Sequence, residues 1–362
     1  MRVLLINPWV GEIFPPPSIG YLQAILRKYG HDVVARDLDG ALKDNEDYDF
    51  VGVSFHSFSV RYARQIRDHF KGHLVCGGHH PSALPDQMLS IGYDQVVIGE
   101  GENALLDITK GNNEKIIHGR KTNINDIPFP DFEGLTFGGE LGIPIISSRG
   151  CPFKCSFCAS ANFWNHAYKM RSADNVLCEI EKRKSEGFKT WMFEDDNFTA
   201  NKKRTFDICS RLDGRYLWQC ASRAESLDKE LCDELFRAGC RTVWLGIESL
   251  SQESLIRCNK NTTVERMING IKSAERAGLK TVCQFIVGLP GDTLTDIEIT
   301  STLVRRHRIS AGSNIAWILP GTDIYREALK RGFDNNEYLE TGAPFYTYEQ
   351  PMATLQKWVR MI

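Results

Sequence analysis

Three cysteines with short and unequal spacing are the residues of this sequence best suited to chemistry. Cys151, Cys155 and Cys158 form a CxxxCxxC pattern within the segment SRGCPFKCSFC. A closed structural zinc site needs four protein ligands, and no second CxxC or HxxxH pair lies nearby to complete one. Three thiolates can instead hold a cluster of four irons and leave one iron open to an outside ligand. The pattern therefore favours an iron–sulfur cluster, with zinc and plain structural cysteines as the alternatives.

The other cysteines of the chain have a different interpretation. The sequence contains 11 cysteines, so eight remain outside the triplet. Most of these lie in apolar strand-like or helix-like runs, where a thiol behaves as a small buried hydrophobe in a reducing compartment. The cysteines that we interpret as structural are Cys76, Cys178, Cys209, Cys220, Cys232, Cys240, Cys258 and Cys283.

Length and composition indicate an ordinary globular protein of about two domains. The chain has 362 residues, of which 42% are hydrophobic and 25% are charged, and its formal charge is −2. So balanced a charge gives no indication of a nucleic-acid-binding surface. No apolar stretch approaches the roughly 18 residues of a membrane helix, and the first residues lack the features of a signal peptide. We therefore expect a cytoplasmic protein with no membrane span and no nucleic-acid partner.

The first third of the chain alternates short apolar runs with helical patterns, which predicts an α/β unit with a Rossmann-like parallel sheet. The predicted strands are Val3–Ile6, Asp32–Val34, Val51–Phe55, Leu74–Cys76 and Val96–Ile98. Ligands of such sheets bind at the carboxyl ends of the strands. The residues at or just after those ends include Ser54, Gly77, Gly78 and Gly99, and the glycines allow a bulky ligand to approach the backbone. No GxGxxG follows the first strand, which disfavours a dinucleotide.

The second half has six further strand–helix units and predicts an open parallel barrel. Its predicted strands are Ile143–Ser147, Thr190–Phe193, Leu217–Ala221, Thr242–Ile247, Thr281–Val287 and Asn314–Leu319. In such barrels the chemistry lies on the loops after the strands. We expect a first domain at 1–122, a proline-containing linker at 123–142, the barrel at 143–325 and a short C-terminal extension at 326–362.

The cysteine triplet, with the aromatic Phe157 before its last cysteine, resembles the signature of the radical S-adenosylmethionine (SAM) superfamily. This resemblance implies a partial (β/α)6 barrel of the TIM type and a [4Fe–4S] cluster on Cys151, Cys155 and Cys158. It also implies that SAM chelates the open iron. Reductive cleavage of SAM then yields a 5′-deoxyadenosyl radical, which removes hydrogen from an unactivated position.

Further motifs resemble cofactor-binding elements of the same family. The usual GGE is absent, and the segment EDDN resembles the variant, found in cobalamin-linked members, of the part that binds the methionine amino group; a solvated acidic turn is the alternative. Arg223 could pair with the SAM carboxylate or form a structural salt bridge. The motif GIES implies contacts near the ribose or methionine, and GLPG implies packing against adenine. The resulting cofactor-side candidates are Phe157, Glu194, Asp195, Arg223, Glu248, Ser249 and Gly288.

The front domain resembles the cobalamin-binding domain that precedes the radical SAM barrel in one large class. The segments PPPSIGYL, GGHHP and GEGE carry this resemblance, which implies cobalamin near Ser54, Gly77, Gly78 and Gly99. No DxHxxG follows the first strand, so the histidine that replaces the base of cobalamin in other enzymes is missing. His56, His79 and His80 lie near the predicted pocket.

The resemblance implies an enzyme, and our leading prediction is a cobalamin-dependent methyltransferase acting on an unactivated carbon. The alternatives are a cyclase or oxidoreductase of the same class, and a radical SAM enzyme whose front domain binds substrate or a partner instead of cobalamin. A non-catalytic iron–sulfur sensor is the alternative from another class of protein. The expected partners are a small-molecule or peptide substrate and an electron donor such as flavodoxin or ferredoxin. The sequence does not identify the substrate.

Overall fold

The computed structural model describes residues 1–8, 16–136 and 142–362. The chain forms two compact units. The first unit comprises Met1–Glu140 and Asp334–Pro344, and the second comprises Leu141–Phe333 and Phe345–Ile362. Both are α/β units built on a parallel sheet, which confirms the predicted fold class.

Among the described residues, the first unit contains a six-stranded parallel sheet with the order β2-β1-β3-β4-β5-β6. Its strands are β1 (Arg2–Asn7), β2 (Asp32–Asp37), β3 (Phe50–Ser54), β4 (Leu74–Gly77), β5 (Gln95–Ile98) and β6 (Ile116–His118). Its first helices are α1 (Pro17–Lys28), α2 (Leu38–Ala41), α3 (Ala63–His69), α4 (His79–Ala83), α5 (Pro85–Ser90) and α6 (Gly101–Thr109). Strands β1 and β3 are almost entirely buried, as expected for a sheet covered on both faces. The sequence interpretation missed β6 because it has only three residues.

The second unit contains a parallel sheet of six described strands in the order β14-β13-β12-β11-β10-β7, as an open barrel requires. The strands after residue 142 are β7 (Ile143–Ile145), β8 (Ser148–Arg149), β9 (Lys169–Met170), β10 (Thr190–Phe193), β11 (Leu217–Arg223), β12 (Cys240–Glu248), β13 (Lys280–Val287) and β14 (Ala311–Ile315). Strands β8 and β9 form a separate antiparallel pair. The last strand begins three residues earlier than predicted, and Trp317 forms an isolated bridge with Phe345 instead.

The helices that follow the strands surround the barrel sheet. They are α7 (Ser160–Phe163), α8 (Ala173–Ser185), α9 (Lys202–Ser210), α10 (Lys229–Arg237), α11 (Gln252–Arg257), α12 (Val264–Arg276), α13 (Leu294–His307), α14 (Asp323–Lys330) and α16 (Met352–Met361), whereas α15 (Glu337–Thr341) belongs to the first unit. Side-chain caps fix several of their starts. Asp228 caps α10 and Thr263 caps α12, while Thr293 and Asp296 form a capping box at α13.

The C-terminal segment is divided between the two units, which the predicted extension at 326–362 does not anticipate. Helix α15 belongs to the first unit, where the buried Tyr338 contacts the ring of His80 edge-on at 5.1 Å. The side-chain amide of Gln87 donates to the carbonyl of Asn335 at 2.7 Å. Helix α16 belongs to the second unit, where Leu355 and Trp358 join a buried cluster next to β13 and α13. In the described ranges, no helix has the length and apolar character that a membrane crossing requires.

Candidate functional site

The three predicted ligands lie in one loop between β8 and α7, and we call residues 150–158 the cysteine loop. Cys151, Cys155 and Cys158 are half-buried and have free thiols. The loop begins at Gly150, whose φ of 82° places it in the left-handed region. A Cβ atom there would lie 2.0 Å from the carbonyl oxygen of Ala167, so only glycine allows this close approach.

The environment of the three sulfurs combines partial burial with hydrogen-bond donors. Burial raises the pKa of Cys151, and it raises the pKa of Cys158 to about 12. The backbone amides of Phe153 and Ser160 donate toward these two sulfurs and oppose the shift. A bound cation reverses this balance, because coordination deprotonates a thiol outright. The donor set therefore fits a metal cluster better than it fits free thiolates.

The outer side of the cysteine loop is fixed by two neighbouring segments. The amide of Ser156 donates to the carbonyl of Cys258 at 3.0 Å, and the side-chain amide of Asn259 donates to the carbonyl of Lys154 at 2.7 Å. The amide of Asp323, at the start of α14, donates to the carbonyl of Ser156 at 2.9 Å. These contacts hold the loop through its backbone and leave the cysteine side chains available for metal.

The three cysteines are not grouped as the ligands of a single metal ion are. In residues 1–8, 16–136 and 142–362, no three His, Cys, Asp or Glu side chains are grouped so that they could hold one ion. Ligands of one zinc lie about 2.3 Å from the metal, which forces their sulfurs close together. A four-iron cluster makes a different demand, since each thiolate binds its own iron.

Arg223 connects the cysteine loop to the end of β11. Its side chain is buried, lies 3.8 Å from the ring centroid of Phe153 and donates to the sulfur of Cys155 at 3.4 Å. It also donates to Glu225 at 2.5 Å and to the carbonyl oxygen of Lys260. These contacts are the structural salt bridge that the sequence left open. A role in binding the SAM carboxylate stays a prediction.

Glu248, at the end of β12, has an unusual backbone and a buried partner. Its φ is 66°, and the register between β12 and β13 shifts between Gly246 and Glu248. The Lys260 ammonium donates to Glu248 Oε1 at 2.8 Å and to the carbonyl of Gly246 at 2.9 Å. A Cβ atom on Gly246 would lie 2.7 Å from Glu248 Oε1, so the glycine makes room for this ion pair. Positive φ in a residue other than glycine is uncommon and often marks a functional position.

Lys260 is a site residue that the sequence interpretation missed. Its side chain is only 3% exposed, although lysine is rarely buried without a partner. The local signal lies in its neighbours, because Asn259 and Asn261 both have a φ of 52°. Asparagine is enriched in this left-handed region, so the run NKN indicates a tight turn. Only the tertiary structure shows that the turn directs the lysine toward β12.

The two adjacent aspartates of the EDDN segment after β10 have different surroundings. Asp195 is buried and accepts hydrogen bonds from the backbone amide and hydroxyl of Ser147. Asp196 is reached by solvent, yet desolvation by the surrounding protein raises the pKa of its carboxyl. The charge of Asp196 in turn raises the pKa of Cys151 and Cys158, which places it on the side of the sulfurs. Asp196 therefore joins the half-buried Glu194 as a candidate contact for a bound cofactor.

A buried amide in the same segment has an open donor. Asn197 is 1% exposed, and its side-chain nitrogen has no hydrogen-bond partner in the described part of the chain. An unsatisfied buried donor is costly, so such a group indicates a missing ligand or water. Its position directly after Glu194, Asp195 and Asp196 makes it a candidate for the cofactor pocket.

Two other predicted residues have close neighbours within the fold, and a third lies in the cysteine loop. The hydroxyl of Ser249 lies 3.2 Å from that of Thr300 and accepts from the amide of Ser251 at 3.0 Å. A Cβ atom on Gly288 would lie 2.6 Å from Leu355, so α16 occupies the space beside this glycine. Phe157 is half-buried in the cysteine loop. Their predicted cofactor contacts stay predictions.

The glycines predicted for cobalamin lie at the carboxyl edge of the first sheet. Gly78 has a φ of 98°, and a Cβ atom there would lie 2.6 Å from the carbonyl of Phe55. Gly77 is the last residue of β4. Ser54 is the last residue of β3, and its hydroxyl oxygen lies 3.4 Å from that of Ser18. Gly99 has a φ of 81°, and a Cβ atom there would meet nothing within 4 Å. At this edge the space beside Gly99 is therefore open, as a bulky flat cofactor requires, whereas neighbouring residues lie close to Gly77 and Gly78.

The three histidines near this edge have different surroundings. His56 and His79 stack with ring centroids 5.3 Å apart, and desolvation lowers the pKa of both, that of His79 to about 3. His80 is fully buried, and its ring nitrogens lie 3.2 Å from the hydroxyl of Ser57 and 2.8 Å from the Gln87 side-chain oxygen. The contacts of His80 are therefore those of a core residue.

Comparison with known proteins identifies both units. A family model described as the radical SAM superfamily matches residues 145–304, and one described as the B12 binding domain matches residues 4–109. The chain belongs to the radical SAM superfamily. Within it, the protein belongs to the class with a B12-binding domain, as the sequence predicted. Membership assigns a [4Fe–4S] cluster and SAM to the second unit and cobalamin to the first, and the cysteine loop and the open glycine edge fit these groups.

Related proteins support the same two-part organisation of this radical SAM protein. An uncharacterized methyltransferase from Pyrococcus horikoshii is 29% identical, covering 98% of this chain and 88% of the relative. The bacteriochlorophyllide d C-8(2)-methyltransferase of Chlorobaculum tepidum is 27% identical, covering 87% of this chain and 76% of the relative. The solved structure of the radical SAM methyltransferase TsrM from Kitasatospora setae, with cobalamin and cluster bound, has a TM-score of 0.76 at 17% identity. It covers 91% of this chain and 75% of that chain, and it shows the shared fold.

Proposed function

We propose that this protein is a cobalamin-dependent radical SAM methyltransferase that acts on an unactivated carbon. The observation that carries the proposal is the presence of a three-cysteine loop and a B12-binding sheet in one chain. The similarity to proteins named as methyltransferases extends over 98% and 87% of this chain. When bound, the cluster and SAM supply a carbon-centred radical by reductive cleavage, and cobalamin supplies the methyl group.

The chain itself contributes binding and positioning. Cys151, Cys155 and Cys158 would each bind one iron and leave the fourth iron open. Phe153 lies against the Arg223 guanidinium and shields this side of the loop from water, while Arg223 directs a hydrogen bond to the sulfur of Cys155. Hydrogen bonds to cluster sulfurs and exclusion of water are the means by which a protein sets cluster potential.

The ends of β10 and β12 would hold SAM. Glu194 and Asp196 offer carboxylates for an ammonium group, and Asn197 offers a buried amide donor without a partner. Lys260 and Glu248 place one buried cation and one buried anion at the end of β12, which β11 separates from β10 in the sheet. A zwitterionic ligand could take the place of one member of this ion pair and form a charge-assisted hydrogen bond with the other member. The amino-acid part of SAM, which carries an ammonium and a carboxylate group, is such a ligand.

The first unit would hold cobalamin at its carboxyl edge, near Ser54, Gly77 and Gly78, with the open space beside Gly99 allowing the ring to approach the backbone. His56 and His79 provide a pair of imidazoles near this edge, and burial keeps both neutral at physiological pH. The partners would be a small-molecule or peptide substrate and a reductant of the flavodoxin or ferredoxin type.

Anaerobic reconstitution tests this function. The parent chain should bind about four irons and four sulfides, take up hydroxocobalamin, and form 5′-deoxyadenosine from SAM under dithionite. With methyl-deuterated SAM and an extract of the source cells, the label should reach a methylated product. Cys151→Ala should abolish cleavage, whereas Cys232→Ala, which removes a buried thiol outside the loop, should leave it near normal. Cleavage of SAM with cobalamin bound but without methylated product would contradict the methyltransferase assignment and favour cyclase or oxidoreductase chemistry.

A further inference from the structure

Two serines that lead into the cysteine loop are bound by a single buried carboxylate. Asp195 Oδ1 accepts from the backbone amide of Ser147 at 2.6 Å. Its other oxygen, Oδ2, accepts from the hydroxyl of Ser147 at 2.5 Å and from that of Ser148 at 2.6 Å. Short hydrogen bonds to an ionised carboxylate are among the strong ones in proteins. Ser147 and Ser148 lie four and three positions before Cys151, so these bonds act at the entrance of the loop.

Arg204 completes this arrangement from α9. Its Nη1 donates to both the carbonyl and the hydroxyl oxygen of Ser147, each at 2.9 Å, and its Nη2 lies 3.5 Å from Asp195 Oδ2. Asp195 is 3% exposed and Arg204 is 9% exposed. The arginine therefore compensates the buried charge of the carboxylate and holds the same residue, Ser147, from the other side.

The contacts of Asp195 leave it little capacity for a ligand. An ionised carboxylate has about four lone-pair sites. Oδ2 accepts from both serine hydroxyls and lies 3.5 Å from the Arg204 guanidinium, while Oδ1 accepts from the Ser147 amide, so one acceptor site is left, on Oδ1. The solvent-accessible carboxylate of the segment is the next residue, Asp196, whose charge acts on the sulfurs of the cysteine loop.

We propose that Asp195 is a positioning residue of the cluster site, which fixes the entrance of the cysteine loop through Ser147 and Ser148 and does not itself bind SAM. This inference rests on the proposed function, because it presumes that the loop holds the cluster. It revises the sequence expectation that Asp195 contacts the methionine amino group. The carboxylate acts on the cluster site through the backbone at Ser147-Ser148, because only the two residues Arg149 and Gly150 lie between Ser148 and the first predicted ligand, Cys151.

The test compares cluster retention in reconstituted variants. Asp195→Asn keeps the size of the side chain but turns one acceptor into a donor that faces the serine donors. Ser148→Ala removes one of the three short bonds and is the milder variant if Asp195→Asn fails to fold. Thr293→Ala, which removes the side-chain cap of α13, is the control for a loss of stability elsewhere in the second unit. The readouts are iron and sulfide content, the rate of iron loss to a chelator, and the EPR spectrum of the reduced cluster with and without SAM.

We expect Asp195→Asn to lose iron about tenfold faster than the parent, because a buried hydrogen-bonding network with one wrong partner is destabilised locally. Ser148→Ala should also lose iron faster than the parent, but by a smaller factor. Thr293→Ala should retain the cluster as the parent does. Once the cluster is present, saturating SAM should change the EPR spectrum of Asp195→Asn as it changes that of the parent.

Two results would overturn the inference. If Asp195→Asn retained iron normally but no longer showed the SAM-dependent EPR change, Asp195 would be a direct SAM contact. If Thr293→Ala lost iron as fast as Asp195→Asn, the effect would be one of general stability. A parent chain that bound no cluster would instead contradict the proposed function, so the two failures are distinguishable.

Discussion

The Lys260 ammonium donates to Glu248 Oε1 at 2.8 Å in a part of the second unit where both side chains are less than a tenth exposed. Glu248 reaches this position because its backbone is left-handed, with a φ of 66°. The carbonyl of Lys260 accepts from Arg223, which also donates to the sulfur of Cys155. A continuous set of contacts therefore connects the end of β12 with the cysteine loop.

Substitution of Lys260 alone should lower the stability of the protein much more than substitution of both members of the ion pair. Lys260→Met leaves the Glu248 carboxylate buried without a partner, which typically costs about 3–5 kcal/mol. Adding Glu248→Gln should restore a large part of the lost stability, since the uncompensated charge is then gone. Urea unfolding of the parent, both single variants and the double variant measures the coupling. Additive effects of the two substitutions would show that the ion pair does not form.

Arg223 should raise the reduction potential of the cluster. Its guanidinium brings a positive charge and an N–H donor to within 3.4 Å of the sulfur of Cys155. Both stabilise the more negative, reduced cluster, so Arg223→Gln should lower the potential by tens of millivolts. Redox titration of the reconstituted variants, followed by EPR, measures the shift. Arg237→Gln, on α10, is a matched control, because this arginine pairs with Glu234 and should leave the potential unchanged.

A potential that stays the same in Arg223→Gln, with the cluster intact, would contradict the contact between the guanidinium and the sulfur. A complete loss of the cluster would show that Arg223 is needed to hold the loop. In that case Arg223→Lys, which keeps the charge without the planar donor geometry, separates the two roles.

The stability of the first unit should decrease with acid because of His80. Desolvation lowers the pKa of this buried imidazole from 6.5 to about 4. Between these two values the unfolded chain binds more protons than the folded chain, so stability is lost as pH falls below 6.5. The loss for one such group is about 1.4 kcal/mol per pH unit. Urea unfolding at about pH 7 and about pH 5 should show a smaller difference for His80→Gln than for the parent.

His56 and His79 should add to the same acid sensitivity, since desolvation also lowers their pKa. The slope that remains in His80→Gln contains their share together with that of His31, whose pKa desolvation also lowers. If the parent and His80→Gln had identical pH dependence, the ring of His80 would not be buried in the neutral form.

The sequence predicted the parts of this molecule that depend on local pattern. The cysteine triplet has a fixed spacing, and the buried strands read as aliphatic runs such as RVLLIN in β1. The roles of neighbouring carboxylates could not be predicted in this way. Asp195 and Asp196 are adjacent and chemically identical, and only the fold brings Ser147 and Ser148 to one of them.

Long-range contacts account for the other differences. Lys260 lies twelve residues after Glu248, and a turn with two left-handed asparagines is needed to bring their side chains together. Helix α15 lies near the end of the chain, yet Tyr338 packs against His80 in the first unit. Neither contact leaves a periodic signal in the sequence, because each depends on the tertiary position of a single side chain.

The open space beside Gly99 provides a direct test of the cobalamin site. Gly99 and Gly30 have nearly the same backbone, with φ values of 81° and 83°, and a Cβ atom at either position would meet nothing within 4 Å. Leucine at either site should therefore lower the free energy of unfolding by a similar amount, roughly 1–2 kcal/mol, because the residue must adopt the left-handed conformation. Gly99 follows β5 at the carboxyl edge of the sheet, whereas Gly30 precedes β2 at the opposite edge. Gly99→Leu should abolish the uptake of hydroxocobalamin, measured by its absorption after gel filtration, while Gly30→Leu should bind it like the parent. Equal binding by both variants would show that the cofactor does not occupy the space beside Gly99.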